Sequence, residues 1–406
     1  MIQRLLSLLA ICLLPLACGT HSFTWEKVAQ ASSQYARWLP PDVSDIEAEI
    51  TRPVHVNYTP PKEDDGEFSV YHPDFDSLFK KWQDNHAFNG NVLLAKGDQL
   101  VHVGSYGYAH AGKKEYLTTE SVFQLASVTK MVTAIAMMQL HEAGKFAWDD
   151  PIKDHLPRWP YEKMTIRHLM NHTSGLVRYD GLGAQHWDRR YFMRYADVID
   201  MFQDRRPGLN FRSGRKFEYC NSNYAMLAAL VDFFSIQPFE DFVQENIFDP
   251  LGMESYYCQH RERVAKPNRT IGYVKKGRRY RVAGGDFDDG VMGDKGMHAT
   301  VKDLYRLDRA LAAGKLLKPE SLAEAFTPGK VQRGGQLYGF GVRMKSYMPG
   351  VVYHFGWWRG YKSCFIRDLR NDATVIILSN RDHPGKQISY WHVLKLLNRW
   401  VEGPLS

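Results

Sequence analysis

The chain has 406 residues, enough for one large domain or two of ordinary size. Its apolar fraction of 44% and charged fraction of 24% are those of a globular protein, so disorder, collagen and coiled coil are excluded. The formal net charge of +7 is mild for this length, and no nucleic-acid partner is expected. The charge favours solubility and a weak attraction to an anionic envelope polymer or membrane surface.

The N-terminal segment has the pattern of an export signal. Arg4 precedes an apolar stretch from Leu5 to Ala17, which is too short to span a membrane but typical of a signal peptide. We therefore expect residues 1–19 to be a signal peptide and the protein to be exported to the periplasm or cell envelope. Two processing events stay open: cleavage after Gly19, or cleavage at a sequence that resembles a bacterial lipobox, with a lipid anchor on Cys18.

Beyond the leader, the chain divides into a predicted tether and one folded domain. Residues 20–68 lack a sustained apolar period, whereas apolar patterning begins near Tyr71. We therefore predict a tether over 20–68 and a domain over 69–402. The cysteines beyond the leader have no paired spacing, which excludes a disulfide framework but leaves one bridge open among Cys220, Cys258 and Cys364.

Periodicity predicts strands at both ends of the domain and helices between them. Residues 75–82 have a helical apolar spacing, and two alternating runs around Gly97-Asp98 predict a β-hairpin. Helical patterns fill most of 127–330, and a last helix is predicted over 388–401. Four further strands are predicted, over 338–344, 351–355, 362–367 and 373–379. This order predicts an α+β fold, with one sheet built from both termini and a helical insertion over about 128–290.

A Ser-x-x-Lys motif is the first candidate for catalysis. One helical turn separates its two residues, so the amine can reach the hydroxyl and activate it as a nucleophile. The spacing alone is weak, because the chain contains it at Ser77/Lys80, Ser127/Lys130 and Ser213/Lys216.

Context favours the second pair. The first pair lies on the polar side of an amphipathic helix and the third in a basic loop, so both are expected on the surface. Ser127 instead opens a helix whose residues 131–138 are apolar on nearly every side, and such a helix is buried. The positive end of this helix favours a developing anion, but an N-cap role explains Ser127 equally well.

Two more motifs follow the Ser-x-x-Lys motif along the chain. The three motifs in this order are a more specific indication of a catalytic site than any one of them alone. Tyr219-Cys220-Asn221 supplies a phenol and an amide before a helical run, and His354-Phe355-Gly356 lies on a predicted strand. With these motifs the chain resembles the serine penicillin-recognising enzymes related to class C β-lactamases and DD-peptidases. Segments 165–176 and 294–300 are also similar to that family, and the resemblance runs from about residue 71 to residue 400.

The resemblance implies an antiparallel sheet flanked by helices, a helical subdomain, and an active site between them. It implies an acyl-enzyme on Ser127, with proton transfer shared by Lys130 and Tyr219, and which of the two is the base stays open. The oxyanion hole would consist of the backbone N–H groups of Ser127 and Trp357. The substrate-binding and oxyanion positions implied are Asn221, His354, Gly356 and Trp357.

The chain departs from the family pattern at three positions. Cys220 stands where close relatives have serine, with an effect that stays open, and Phe355 is expected to crowd the strand against which substrate pairs. His354 replaces a lysine that would be a permanent cation. Since histidine titrates near pH ~6.5, we expect any preference for carboxylate-bearing substrates to strengthen below that pH.

Two patterns that suggest metal sites are interpreted as structural. His168 and His172 are four residues apart but lack a third ligand at zinc spacing, and the resemblance places them in a structural helix and turn. Residues 286–290 hint at a calcium loop, but the glycine comes one position early and the closing acid is absent. We expect a solvated acidic loop there, and no metal or other cofactor.

The aromatic residues between 353 and 361 allow two interpretations, packing in the sheet or an aromatic wall that favours apolar acyl groups.

The sequence as a whole predicts an exported serine hydrolase that acts on a small-molecule or peptide substrate: D-amino-acid peptides, esters or β-lactams. Peptidase or esterase activity ranks above efficient β-lactamase activity. The alternative is a penicillin-recognising binding protein without turnover on the same fold, and the sequence does not determine the oligomeric state.

Overall fold

The structure is a computed structural model of the chain and describes residues 68–257, 267–277, 279–331, 336–382 and 389–400. The predicted leader with Cys18, the tether up to residue 67, and Cys258 lie outside the described residues. The predicted domain boundaries stay predictions.

Strands lie at both ends of the described chain, with helices between them. In chain order the helices are α1 (Pro73–Asp84), α2 (Thr129–Glu142), α3 (Ile152–His155), α4 (Ile166–Met170), α5 (Tyr179–His186), α6 (Tyr195–Arg205), α7 (Asn221–Ser235), α8 (Phe239–Val243), α9 (Val301–Ala312), α10 (Pro319–Ala325) and α11 (Tyr390–Arg399). The strands are β1 (Gly90–Lys96), β2 (Gln99–Tyr106), β3 (Tyr108–His110), β4 (Glu115–Tyr116), β5 (Phe123–Gln124), β6 (Tyr256–Tyr257), β7 (Tyr273–Lys276), β8 (Arg279–Val282), β9 (Met297–Ala299), β10 (Gln336–Tyr338), β11 (Arg343–Lys345), β12 (Val351–Trp358), β13 (Tyr361–Asp368) and β14 (Ala373–Ser379). None of the described helices is long and apolar enough to cross a membrane.

The main sheet is antiparallel, with the strand order β10-β11-β12-β13-β14-β1-β2. Its two halves come from opposite ends of the domain and join where β1 pairs with β14, with Gly90 opposite Ser379. The predicted α+β fold, with one antiparallel sheet built from both termini and flanked by helices, is therefore confirmed.

Apolar side chains on both faces of the sheet explain why helices cover both sides. Every residue of β14 is buried, and successive side chains of a strand point to opposite faces. Val375 and Ile377 pack with residues of α1 and α11 in one cluster, while α9 contacts β14 and β1. At the far end of these strands, Asp308 of α9 accepts a hydrogen bond from Thr374 and pairs with arginines.

The predicted strand over 338–344 is wrong, because the chain turns back within it. β10 ends at Tyr338 and β11 begins at Arg343, and the two strands pair as a hairpin. In the turn, Gly341 has a φ of +74°, and a Cβ there would lie 2.7 Å from the Cβ of Ala134. Only glycine lets this turn approach α2 so closely.

One edge of β12 is left open beside α2. β11 pairs with β12 at Tyr353 and Val352, so beyond Tyr353 this edge has no strand partner in the described part of the chain. The 3₁₀ turn Ala126–Val128, which precedes α2, packs against β12 at that place. The open edge and the start of α2 therefore face the same space.

Candidate active site

Ser127 lies in a tight turn directly before α2. Ala126 in this turn has a φ of +48°, the left-handed region that residues other than glycine disfavour. The helix starts without any side-chain cap, with Val128 at the N-cap position, so the N-cap interpretation of Ser127 is wrong. The turn holds a partly exposed serine whose hydroxyl is not used to cap the helix.

Lys130 is fully buried one helical turn further on. Its Nζ lies 3.3 Å from Ser127 Oγ, 3.0 Å from Asn221 Oδ1 and 2.6 Å from the carbonyl oxygen of Asp294. The amide and peptide oxygens can only accept hydrogen bonds, so two N–H groups of the amine must point at them. The remaining position on Nζ faces the hydroxyl of Ser127.

Tyr219 packs beside this amine. Its ring centroid is 5.1 Å from Lys130 Nζ and 4.4 Å from the ring centroid of His172. Its hydroxyl is buried and has no hydrogen-bond partner among the described residues. A buried phenol without a partner next to a lysine–serine pair is a candidate for proton transfer.

His354 lies on β12, facing the same space, and is fully buried. Its Nδ1 is 2.9 Å from the carbonyl of Phe355, which can only accept, so Nδ1 carries the hydrogen and Nε2 accepts from Tyr338 Oη at 3.2 Å. Burial, assisted by the nearby charges of Arg343 and Lys130, holds the pKa of His354 well below its usual range. The expectation that His354 becomes a cation near pH ~6.5 is therefore wrong.

Gly356 brings β12 against the serine turn. A Cβ at this position would lie 2.3 Å from the carbonyl oxygen of Leu125 and 2.2 Å from Ser363 Oγ. Any other residue would push the strand away from Ser127. Trp357 follows near the end of β12, opposite Lys362, and the residue is 62% exposed.

The other aromatic residues of this segment pack within the fold. The ring of Phe355 contacts Tyr353, Tyr390 and Trp391 on the sheet face covered by α11, away from Ser127. The crowding expected from Phe355 is therefore wrong, and these contacts favour the packing interpretation over an aromatic wall. Cys220 also points away: its buried Sγ donates to the carbonyl of Leu176 at 3.3 Å, and burial raises its pKa.

The acidic segment 286–290 is not solvated, contrary to expectation. Asp288 and Asp289 are buried and bind Arg359 at 3.1 and 3.0 Å. The sequence could not show this, because Arg359 lies about 70 residues away on a different element. No group of three or more metal-ligating side chains occurs among the described residues.

His168 and His172 have structural roles. His168 forms a capping box with Thr165 at the start of α4. Nδ1 of His172 accepts from the backbone of Cys220 and from Asn223, which fixes the ring under Tyr219. Burial and the charge of Lys130 hold the pKa of His172 well below its usual range, so it stays neutral.

Arg343 is the main residue that the sequence interpretation missed. Its guanidinium lies 4.4 Å from the ring centroid of Tyr219 and 5.7 Å from that of Tyr338. No ion pair between described residues involves it. Gly339 and Gly341 were the available indication of a turn here, and a turn would have placed Arg343 at the start of a strand instead of inside one.

Comparisons with known proteins agree with this fold and these motifs. A family model described as Beta-lactamase matches residues 75–398. Penicillin-binding protein 4* of Bacillus subtilis (strain 168) is 33% identical over 322 residues, which cover 75% of this chain and 71% of that protein. A D-aminopeptidase of Gluconobacter oxydans (strain 621H) is 26% identical over 303 residues, 71% of this chain and 55% of that protein. The chain therefore belongs to the Beta-lactamase family, as the resemblance implied.

Solved structures show the same fold. A penicillin binding protein from Bacillus halodurans superposes with a TM-score of 0.69 at 24% identity, covering 79% of this chain and 98% of that one. The D-amino acid amidase from Ochrobactrum anthropi SV3 superposes with a TM-score of 0.64 at 22% identity, covering 80% and 95%. At these identities the likeness establishes the fold alone.

Substituting Gly356→Ala tests the close approach of β12 to the serine turn. The added Cβ overlaps a backbone oxygen, so the strand must shift, and we expect hydrolysis of a simple p-nitrophenyl ester to fall by about 100-fold, as for a misplacement near 1 Å. Gly208→Ala is the matched control, because nothing lies within 4 Å of its added Cβ. Equal activity of both variants at equal folded fraction would contradict this account of Gly356.

Proposed function

We propose that the protein is an exported serine hydrolase that forms an acyl-enzyme on Ser127 with amide or ester substrates. The observation that carries the proposal is the geometry of Lys130. Two of its amine positions are held by obligate acceptors, which leaves the third for Ser127 Oγ at 3.3 Å. A serine hydroxyl needs such a neighbouring base to attack at neutral pH.

Acylation and deacylation then follow from the same groups. Ser127 Oγ forms a bond to the substrate carbonyl carbon while its proton passes to the lone pair of the unprotonated Lys130 amine. The bond to the leaving nitrogen or oxygen breaks as that atom takes a proton, delivered through the hydroxyl of Tyr219. Water then attacks the ester on Ser127 with the same residues working in reverse, which releases the acid and restores the serine.

The strand edge and the serine turn would hold the reacting carbonyl. The open edge of β12 can pair with an extended substrate, as an added strand does. The N–H groups of Ser127 and Trp357 are proposed to bind the oxyanion, and one such donor typically contributes about 10²–10³ in rate. Asn221 is proposed to bind the substrate amide while it holds Lys130.

Arg343 favours substrates that carry a carboxylate. It is a permanent cation beside Tyr219, whereas His354 and His172 are neutral. Relatives and neighbours named as a D-aminopeptidase and a D-amino acid amidase support D-amino-acid substrates. We therefore rank D-amino-acid peptides with a free carboxylate first, before simple esters and before efficient β-lactam turnover.

The non-turnover alternative rested on two departures that do not reach the site. Cys220 and Phe355 both point away from Ser127, so neither obstructs acylation.

Export is proposed from the leader pattern of residues 1–19, since its short apolar stretch follows a single positive charge. Fractionation of cells that express the full chain would test export.

A substrate panel tests the proposed activity. We expect the processed protein to hydrolyse D-amino-acid peptides or esters, and Ser127→Ala to lose at least about 10³-fold in kcat, because it removes the nucleophile. The panel should include L-amino-acid counterparts and β-lactams. A folded protein that penicillin stabilises against heat but that turns over none of these compounds would contradict the hydrolase and support the binding protein.

Arg343→Gln tests the carboxylate preference. Losing a charge-assisted contact should lower kcat/KM for substrates with a free carboxylate by roughly 10- to 100-fold and leave their amide analogues unchanged. Lys345→Gln is the control, since this cation lies over Trp391 instead.

The pH dependence separates Arg343 from His354. Burial holds the pKa of His354 well below its usual range, so no histidine titration should change the carboxylate preference between about pH 5.5 and 8. The carboxylate-to-amide ratio of kcat/KM should therefore be flat over this range. A ratio that rises below pH ~6.5 and survives Arg343→Gln would restore His354 as the cation.

A further inference from the structure

The segment 286–296, here called the acidic loop, touches both halves of the proposed site. It contains the 3₁₀ turn Phe287–Gly290 and leads into β9, and its side chains contact the end of β12. Its backbone contacts α2, where the carbonyl of Gly293 accepts from Thr133 Oγ1 at 2.7 Å.

At the end of β12, carboxylates of the acidic loop bind the two residues that follow Trp357. Asp289 Oδ1 accepts from Trp358 Nε1 at 2.7 Å and from Arg359 Nε at 3.0 Å, and Asp288 accepts from the same guanidinium at 3.1 Å. The Asp289 side chain is completely buried, which makes these bonds strong and geometrically defined. They fix the last residues of β12 at the point where the oxyanion N–H of Trp357 is proposed.

At the lysine end, the loop supplies the acceptor for Lys130. The carbonyl of Asp294 accepts from Lys130 Nζ at 2.6 Å, and the Asp294 carboxylate accepts from Tyr179 Oη at 3.1 Å. Burial, with the charge of Asp294 next, raises the pKa of Tyr179 well above its usual range, so the phenol keeps the proton it donates.

Lys295 links these two ends. It is 2% exposed, pairs with the Asp294 carboxylate at 3.5 Å and donates to Tyr179 Oη. Its ammonium also lies 4.7 Å from the ring centroid of Trp358, the residue held by Asp289. Lys295 therefore contacts the carboxylate of Asp294, the residue whose carbonyl binds Lys130, and also the ring of Trp358 at the end of β12.

We propose that Asp289 and Lys295 are positioning residues. They hold the end of β12 and the Asp294 carbonyl in fixed positions relative to each other, and so set the rate of acylation without touching substrate. The catalytic part of this inference rests on the proposed hydrolase function. The positioning part does not, because it concerns the order of the strand end itself.

Amide hydrogen exchange and kinetics on the full chain test the proposal together. With Asp289→Asn, amide exchange in residues 355–361 should become about 10-fold faster, because the hydrogen bonds from Trp358 and Arg359 to residue 289 weaken. The kcat for ester hydrolysis should fall by about 10- to 100-fold with little change in KM, since a displaced oxyanion donor affects the transition state. Lys295→Met should do the same, and Lys295→Arg should restore part of kcat.

Asp308→Asn is the matched control, because it removes a buried carboxylate that pairs with arginines at the far end of the sheet. It should lower thermal stability similarly without changing exchange at 355–361 or kcat. If Asp289→Asn and Asp308→Asn show the same exchange at 355–361 and the same kcat at equal thermal stability, the proposal is overturned. Should Lys295→Met fail to fold, Asp289→Asn decides, since Arg359 is partly exposed and can hydrate.

The exchange measurement keeps the two proposals separate. Faster exchange with unchanged kcat would overturn the catalytic part of the inference and leave both the hydrolase and the ordering of the strand end intact. A wild-type protein without turnover would refute the proposed function, and the exchange comparison would still decide whether Asp289 and Lys295 order the strand end.

Discussion

A completely buried lysine without a carboxylate partner among the described residues is the constraint around which the structure is arranged. Lys130 is surrounded by dipoles and π-faces instead: the Asp294 carbonyl, the Asn221 amide, and the rings of Tyr219 and Tyr224 at 5.1 and 5.7 Å. A carboxylate partner would favour the ammonium form of Lys130, which cannot take the serine proton. Neutral acceptors satisfy two of its positions and leave the third to the serine.

This arrangement requires distant parts of the chain to meet. The partners of Lys130 come from positions 91 and 164 residues further along, at the start of α7 and in the acidic loop. Burial, together with a positive charge on Lys130 when it is protonated, lowers the pKa of His172 and of His354, so the site holds histidines as packing and hydrogen-bonding groups. Arg343, beside Tyr219, is therefore the residue proposed to offer a positive charge to substrate.

The motif residues could be proposed from the sequence because each motif is local. Ser127 and Lys130 are one helical turn apart, Tyr219 and Asn221 flank a helix start, and the alternation of β12 puts His354 and Gly356 on one face. The same alternation sends Phe355 to the opposite face. That outcome follows from the strand alternation, which the size of the ring does not change.

Long-range pairing could not be predicted in this way. The burial of Asp288 and Asp289 depends on Arg359, and nothing in the acidic run itself reveals that partner. Arg343 was assigned to the interior of a strand, although its position depends on a glycine turn packed against α2. In both cases the decisive contact joins elements that are far apart in sequence, where periodicity carries no information.

The most direct test of the central claim is labelling with a fluorophosphonate, followed by peptide mass mapping, on the wild-type protein and on folded Ser127→Ala and Lys130→Met variants. The account predicts one adduct on Ser127, none in Ser127→Ala, and labelling at least about 100-fold slower in Lys130→Met, because the lysine is the proposed base that activates the serine. Labelling of Ser127 at an undiminished rate in Lys130→Met, or no adduct on the folded wild-type protein, would contradict it.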